Sequence, residues 1–326
     1  MRCGILLPSF DAVRSGEPPP VVEAARLAEA LEFDAAWVGD HLTCPAPGLD
    51  AAGCLSAAAA VTERIELGLS VMLLGMRPTA WAAKQLVTID SLSGGRLLLG
   101  VGVGGEFPEE FAAAGVPVNE RGARLNESLK VLPDLLSGKP VEHHGRTLRL
   151  SVPPLEPAIS AMPPIYVGGR GEASLRRAAR FGDHWLPMWL EPEVAAQRSA
   201  RLAELADELD RPRPGVAMLV GVHVDDDVDR ARAEAEAHMQ GQYRLPLKVV
   251  ERWTPVGSVE RVADYLEAQL EAGVQELLLM PLGHHPLQQY ERLAEVRARL
   301  PGAAAPVGAP GPAAASASAS DTGLRA

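Results

Sequence analysis

Asp40 and His41 follow the short apolar run Asp34–Gly39 without a gap. An imidazole at the end of a strand can exchange a proton near neutral pH or hold a ligand atom by a hydrogen bond. A histidine in a surface loop is the other reading, and position alone leaves both open. A second constellation, Gly168-Gly169-Arg170-Gly171, lies between a strand pattern and a helix pattern. Glycines let backbone N–H groups approach an anion, a helix start adds partial positive charge, and Arg170 adds a charged donor. A tight turn without a ligand has the same sequence. The third constellation is a pair of apolar strands, Ile65–Leu74 and Leu97–Val103, that end in small residues. The first carries Ser70 before Val71; the second opens into Gly102, Gly104, Gly105 and then Glu106.

Gly100, Gly102 and Gly105 formally satisfy a dinucleotide fingerprint. That fingerprint should open the first βα unit and run into a helix, whereas these glycines begin inside a strand and meet Glu106-Phe107-Pro108. They read instead as clearance for a planar ring laid against the strand ends. His143-His144 and His284-His285 suggest no metal centre, because neighbouring strand residues face opposite ways and no further ligand sits at the required spacing. No G-x-S-x-G or cysteine–histidine arrangement of catalytic sense occurs.

Eight apolar runs, centred near residues 5, 36, 69, 100, 166, 186, 220 and 277, supply the strands that would position these groups. Helical patterns alternate with them, and the runs are apolar throughout, as strands buried on both faces are. Eight βα units point to a closed barrel, with an open doubly wound sheet as the rival. A barrel puts its active face at the strands' carboxyl ends, which selects the residues above together with Pro187–Trp189, His223, His284 and His285. Val141–His143 and Thr147–Leu150 read as a hairpin insertion near 140–152, and 241–256 as an irregular segment. Residues 1–300 form one domain in this reading. From Pro301 the Ala/Pro/Gly/Ser tail is expected to be disordered for want of apolar burial.

The formal net charge of −11 argues against a nucleic-acid or anionic-membrane surface. Three cysteines, an odd number without C-x-x-C, fit free thiols in a reducing cytoplasm. No apolar run approaches the roughly 18 residues that span a bilayer, and MRCGILLPSF lacks a signal-peptide pattern.

Six segments resemble the luciferase-like flavin and deazaflavin oxidoreductases, a family of (β/α)8 TIM barrels, and come in the family's order. They are AEALEFDAAWVGDHL (28–42), TERIELGLSV (62–71), QLVTIDSLSGGRLLLGVGVG (85–104), residues 111–150, PPIYVGGRGEASLRRAARFGDHWLP (163–187) and GSVERVADYLEAQLEAGVQELLL (257–279). The resemblance implies a barrel that binds a ring cofactor, coenzyme F420 or alternatively FMN. Its phosphate would lie at Gly168, Gly169 and Arg170. The Asp40-His41 pair matches the deazaflavin branch, which implies hydride transfer to or from a small organic substrate. It makes His41 the candidate proton donor or acceptor, with Glu106 second and Asp40, Gly104 and Gly105 beside the cofactor. It also implies a bulge with a cis peptide at Ser70-Val71 against the ring. The rival readings are a two-component FMN monooxygenase and a non-catalytic flavin-binding barrel. A homodimer and a separate flavin or F420 reductase partner are further implications.

Overall fold

Each apolar run becomes a short parallel strand: β1 Arg2–Leu6, β2 Ala35–Val38, β3 Glu66–Leu69, β4 Leu97–Val101, β5 Ile165–Gly168, β6 His184–Leu186, β7 Gly215–Val224 and β8 Glu276–Pro281. Every strand pairs with the next. β8 then pairs with β1, Cys3 opposite Leu277, so the sheet closes on itself. This is a (β/α)8 barrel and not an open sheet. The computed structural model describes residues 1–302, so the tail expected to be disordered lies outside the described residues from 303 onward.

Local chemistry sets the helix limits. Asp50 accepts a hydrogen bond from Gly53 N–H at 2.9 Å and caps a helix at Ala51–Ala59, which therefore starts before the Leu55 start the apolar spacing predicts. Ser258 caps Val259–Glu271 as expected, and Gly94, in the left-handed region, ends Thr79–Ser93. The hairpin insertion pairs Val141–His144 with Arg149–Val152. The segment 241–256 is more ordered than predicted. The helix Val228–Tyr243 runs into it, stops at Arg244 with φ 54°, and is followed by a short helix, Leu247–Val250, and a 3₁₀ turn, Glu251–Trp253. Pieces this short show no hydrophobic period for a sequence to reveal. Among the described residues no helix is long and apolar enough to cross a membrane.

The lower half of the barrel is filled. The Trp37 indole lies where side chains on Gly4 and Gly68 would sit; a Cβ on Gly68 would come within 2.1 Å of the ring. Tyr166 meets Trp37 edge-on at 4.9 Å and stacks on His184 at 4.3 Å. The Tyr166 hydroxyl donates to the buried Glu276 carboxylate at 2.9 Å. Burial pushes Glu276 above the usual carboxylate range and His184 below the usual imidazole range. Beyond this plug, the strands' carboxyl ends border open space.

Candidate functional site

A cavity of about 810 Å³ opens there, within the usual range for small-molecule sites. Its central wall comes from a bulge at the end of β3. Gly68 lies opposite Leu98, and the next parallel bridge joins Met72 to Val101. Four steps along one chain therefore oppose three along the other, and the extra residue falls at Ser70-Val71. The Ser70–Val71 peptide bond is cis. Ser70 N–H still donates to Val38 at 2.8 Å, and Met72 N–H rejoins the ladder at Gly100 O, also at 2.8 Å. The strand expected to continue to Leu74 thus ends at Leu69.

The neighbouring glycines make room for this bulge, which corrects the expectation that they clear a ring directly. A Cβ on Gly100 would come within 1.9 Å of Leu69 O. On Gly102 it would meet Val71 Cγ2 at 2.3 Å, and on Gly168 it would meet Val71 Cγ1 at 3.1 Å. Val71 is pressed into a hollow formed by β4 and β5, and it lines the cavity.

Asp40 and His41 sit beside the bulge with different attachments. The buried Asp40 carboxylate accepts Leu73 N–H at 2.9 Å and the Arg77 guanidinium at 2.5 Å. Both oxygens thus serve protein donors and hold the chain that leaves the bulge. His41 lines the cavity between Phe10 and Phe107, with ring centroids 5.9 and 5.2 Å away. Its Nδ1 lies 3.3 and 3.2 Å from the two Glu110 oxygens. The Glu110 side chain is 0% exposed and also accepts Leu42 N–H at 3.2 Å. Against an ionised carboxylate, which only accepts, Nδ1 is the donor, and that tautomer leaves a lone pair on Nε2.

The strand-four glycines divide. Gly104 and Glu106 line the cavity. Gly105, with φ 117°, instead faces the Arg121 side chain, 3.1 Å from where its Cβ would stand. Glu106 is at the exposed rim, near Tyr243, whose phenol is pushed up by burial and by that carboxylate. Gly168, Gly169 and Arg170 also line the cavity. Gly169 adopts φ 116°, its carbonyl accepts the Trp185 indole N–H at 2.7 Å, and no side chain caps the helix Glu172–Phe181 that follows. Arg170 lies 5.6 Å from the Trp189 ring. Pro187–Trp189 contributes Met188 and Trp189 to the wall.

Four buried polar atoms on lining residues have no hydrogen-bond partner among the described residues: Ser9 Oγ, Ser70 Oγ, Trp189 Nε1 and Gln242 Oε1. Buried polar groups in folded proteins are nearly always paired, so each of these four calls for a partner; eight more such atoms lie off the cavity, Trp37 Nε1 and His184 Nδ1 in the barrel plug among them. Of the histidine pairs, His284 and His285 line the cavity and His143 and His144 do not. His143 lies beside Glu127, and His284 Nδ1 is 2.5 Å from Glu234. Among the described residues no three His, Cys, Asp or Glu side chains converge to hold a metal.

The family model for luciferase-like monooxygenases matches residues 1–252. This chain belongs to the luciferase-like monooxygenase family. It spans about half the length of the curated relatives it matches. A Mycobacterium tuberculosis protein is 35% identical over 159 residues, 49% of this chain and 54% of the relative. Among solved structures, the monooxygenase RslO1 from Streptomyces bottropensis superposes with a TM-score of 0.79 at 22% identity, covering 91% of this chain and 98% of that one. An F420-dependent secondary alcohol dehydrogenase, in complex with an F420-acetone adduct, gives 0.77 at 21%, covering 90% and 97%. At these identities both likenesses show the luciferase-like fold alone.

Three residues that sequence reasoning did not single out matter in this luciferase-like barrel. Glu110 reaches His41 from the short helix Pro108–Ala113, 69 positions along the chain. The sequence signal was the helical spacing of Phe107, Glu110 and Phe111, which puts a carboxylate on an apolar, inward face. His238 and Gln242 reach the cavity from Val228–Tyr243, a helix whose overall pattern is that of a solvated surface.

Proposed function

We propose that this chain is an oxidoreductase that moves a hydride between coenzyme F420 and a small secondary alcohol or its ketone. The observation that carries this reading is the His41–Glu110 pair beside the Ser70-Val71 bulge. The residues present suit such a cofactor. Val71 and Leu186 offer an apolar wall, and Ser70 Oγ is a buried polar atom without a partner among the described residues. Gly168, Gly169 and Arg170 would hold the phosphate at a helix start. When bound, the deazaflavin supplies a two-electron hydride acceptor and donor.

The chain's own part is proton transfer and positioning. Glu110 fixes the tautomer of His41, and the free Nε2 takes the hydroxyl proton as an alcohol is oxidised. In the reverse direction the imidazolium returns that proton to the ketone oxygen. Asp40 and Arg77 hold the backbone after the bulge in place, and Phe10 and Phe107 shield the imidazole from water.

The likeness to the monooxygenase RslO1 supports a second reading, a monooxygenase, with FMN as the alternative cofactor. Titrating the protein with coenzyme F420 and with FMN, followed by ligand fluorescence, separates the two. Saturable F420 binding, and bleaching of its absorbance when a secondary alcohol is added, is the expected result. Tight FMN binding with no F420 binding would sink the first reading.

A further inference from the structure

The cavity has polar lining residues that the proposed hydride transfer does not use. His238 and Gln242 are four residues apart on one face of Val228–Tyr243, and both line the cavity. This helix end is clamped onto the loop after β1. A Cβ on Gly241 would come within 1.6 Å of Ala12 O, so only glycine permits the approach. The same loop contributes Ser9 to the cavity.

These three residues offer a defined set of donors and acceptors. Gln242 is 4% exposed and Ser9 1%, and Gln242 Oε1 and Ser9 Oγ have no partner among the described residues. His238 Nδ1 accepts Gly283 N–H at 3.3 Å, so the proton of the neutral ring is on Nε2, a donor. Burial pushes His238 down to about 4, which keeps it uncharged at neutral pH. No charge is matched here either. Arg170 is the one arginine or lysine among the lining residues described, and it stands at the glycine turn; Asp11, Glu17, Asp40 and Glu106 are the lining acids. An anionic substrate group would meet no arginine or lysine from these three residues' surroundings other than Arg170.

We infer that His238, Gln242 and Ser9 form a subsite for a second, uncharged hydrogen-bonding group of the substrate, a hydroxyl. Such a hydroxyl donates to Gln242 Oε1 and accepts from His238 Nε2–H, while an apolar middle lies along Trp189 and Met280. The substrate is then a neutral molecule with a hydroxyl at each end. Which end reacts rests on the proposed oxidoreductase reading; the binding does not.

The test uses the full-length chain and a graded series of secondary alkanols. Each is compared with the same alkanol bearing a terminal hydroxyl or a terminal carboxylate. Two readouts are taken: kcat/KM with coenzyme F420, and binding by saturation-transfer NMR without cofactor. At the length that spans the cavity, the terminal hydroxyl should raise kcat/KM and binding about tenfold, the worth of one neutral hydrogen bond. The carboxylate should lower both. Gln242→Leu should bring the diol-to-alkanol ratio to about one, and Ser9→Ala should reduce it, giving the same comparison should the first variant fail to fold. A Gln242-dependent diol preference in the NMR without any turnover keeps the subsite and overturns the oxidoreductase reading. Equal binding of diol and alkanol at every length, or preference for the carboxylate, overturns the subsite.

Discussion

Replacing Glu110 by glutamine tests whether a buried carboxylate, and not merely a hydrogen-bonding shape, governs His41. The two side chains are nearly isosteric, so packing around the fully buried group is retained. Glu110 now takes two donors, His41 Nδ1–H and Leu42 N–H. A glutamine keeps one acceptor oxygen and turns an NH₂ toward the other donor. Leaving two buried donors opposed costs about 1–3 kcal/mol, so the imidazole relieves the clash by moving its proton to Nε2. That tautomer cannot take a proton from an alcohol. On the proposed hydride-transfer reading, with a charge-assisted bond worth about 1.5–3 kcal/mol, kcat for secondary-alcohol oxidation should fall about 10- to 150-fold. Coenzyme F420 affinity should stay within about twofold, since among the described residues the Glu110 carboxylate hydrogen-bonds to His41 and Leu42. The assay is steady-state oxidation of cyclohexanol by the wild type, Glu110→Gln, His41→Ala and the double variant. If Glu110 acts only through His41, the double variant is no slower than His41→Ala. Full multiplication of the two losses, or an undiminished kcat in Glu110→Gln, would refute the reasoning.

Two further outcomes follow from the geometry. Gly102→Ala places a Cβ 2.3 Å from Val71 Cγ2 and should cost about 1–3 kcal/mol in urea unfolding, largely recovered by adding Val71→Ala; an unchanged stability in the single variant would show that the hollow is not needed. His238 is held at about 4, below its ordinary 6.5, so the unfolded chain takes that proton first as the pH falls. Its contribution is complete above pH 6.5 and is lost on the way down to pH 4. The full loss is at most about 3 kcal/mol, and urea titrations should show a shallower decline for His238→Gln than for the wild type.

The strands were legible because strands buried on both faces leave uninterrupted apolar runs, the family resemblance favoured a closed barrel over an open sheet, and strand ends in a barrel locate the active face. Asp40, His41, Ser70, Val71, Glu106 and Gly168–Arg170 were all placed on the cavity by that reasoning, and the structure brings them together there. Glu110 escaped notice because its partner is 69 residues away, and a carboxylate on a short helix is ordinarily solvated. The glycines were read one step short. A missing side chain shows that something comes close, but it does not name the neighbour. At Gly100, Gly102 and Gly168 the neighbour is the bulge itself, a feature that exists only once β3, β4 and β5 lie side by side. The two readings meet at Val71. Larger residues on β4 and β5 would force its side chain out into the cavity. The glycines therefore shape the ligand wall indirectly, by taking in the flank of the residue that forms it.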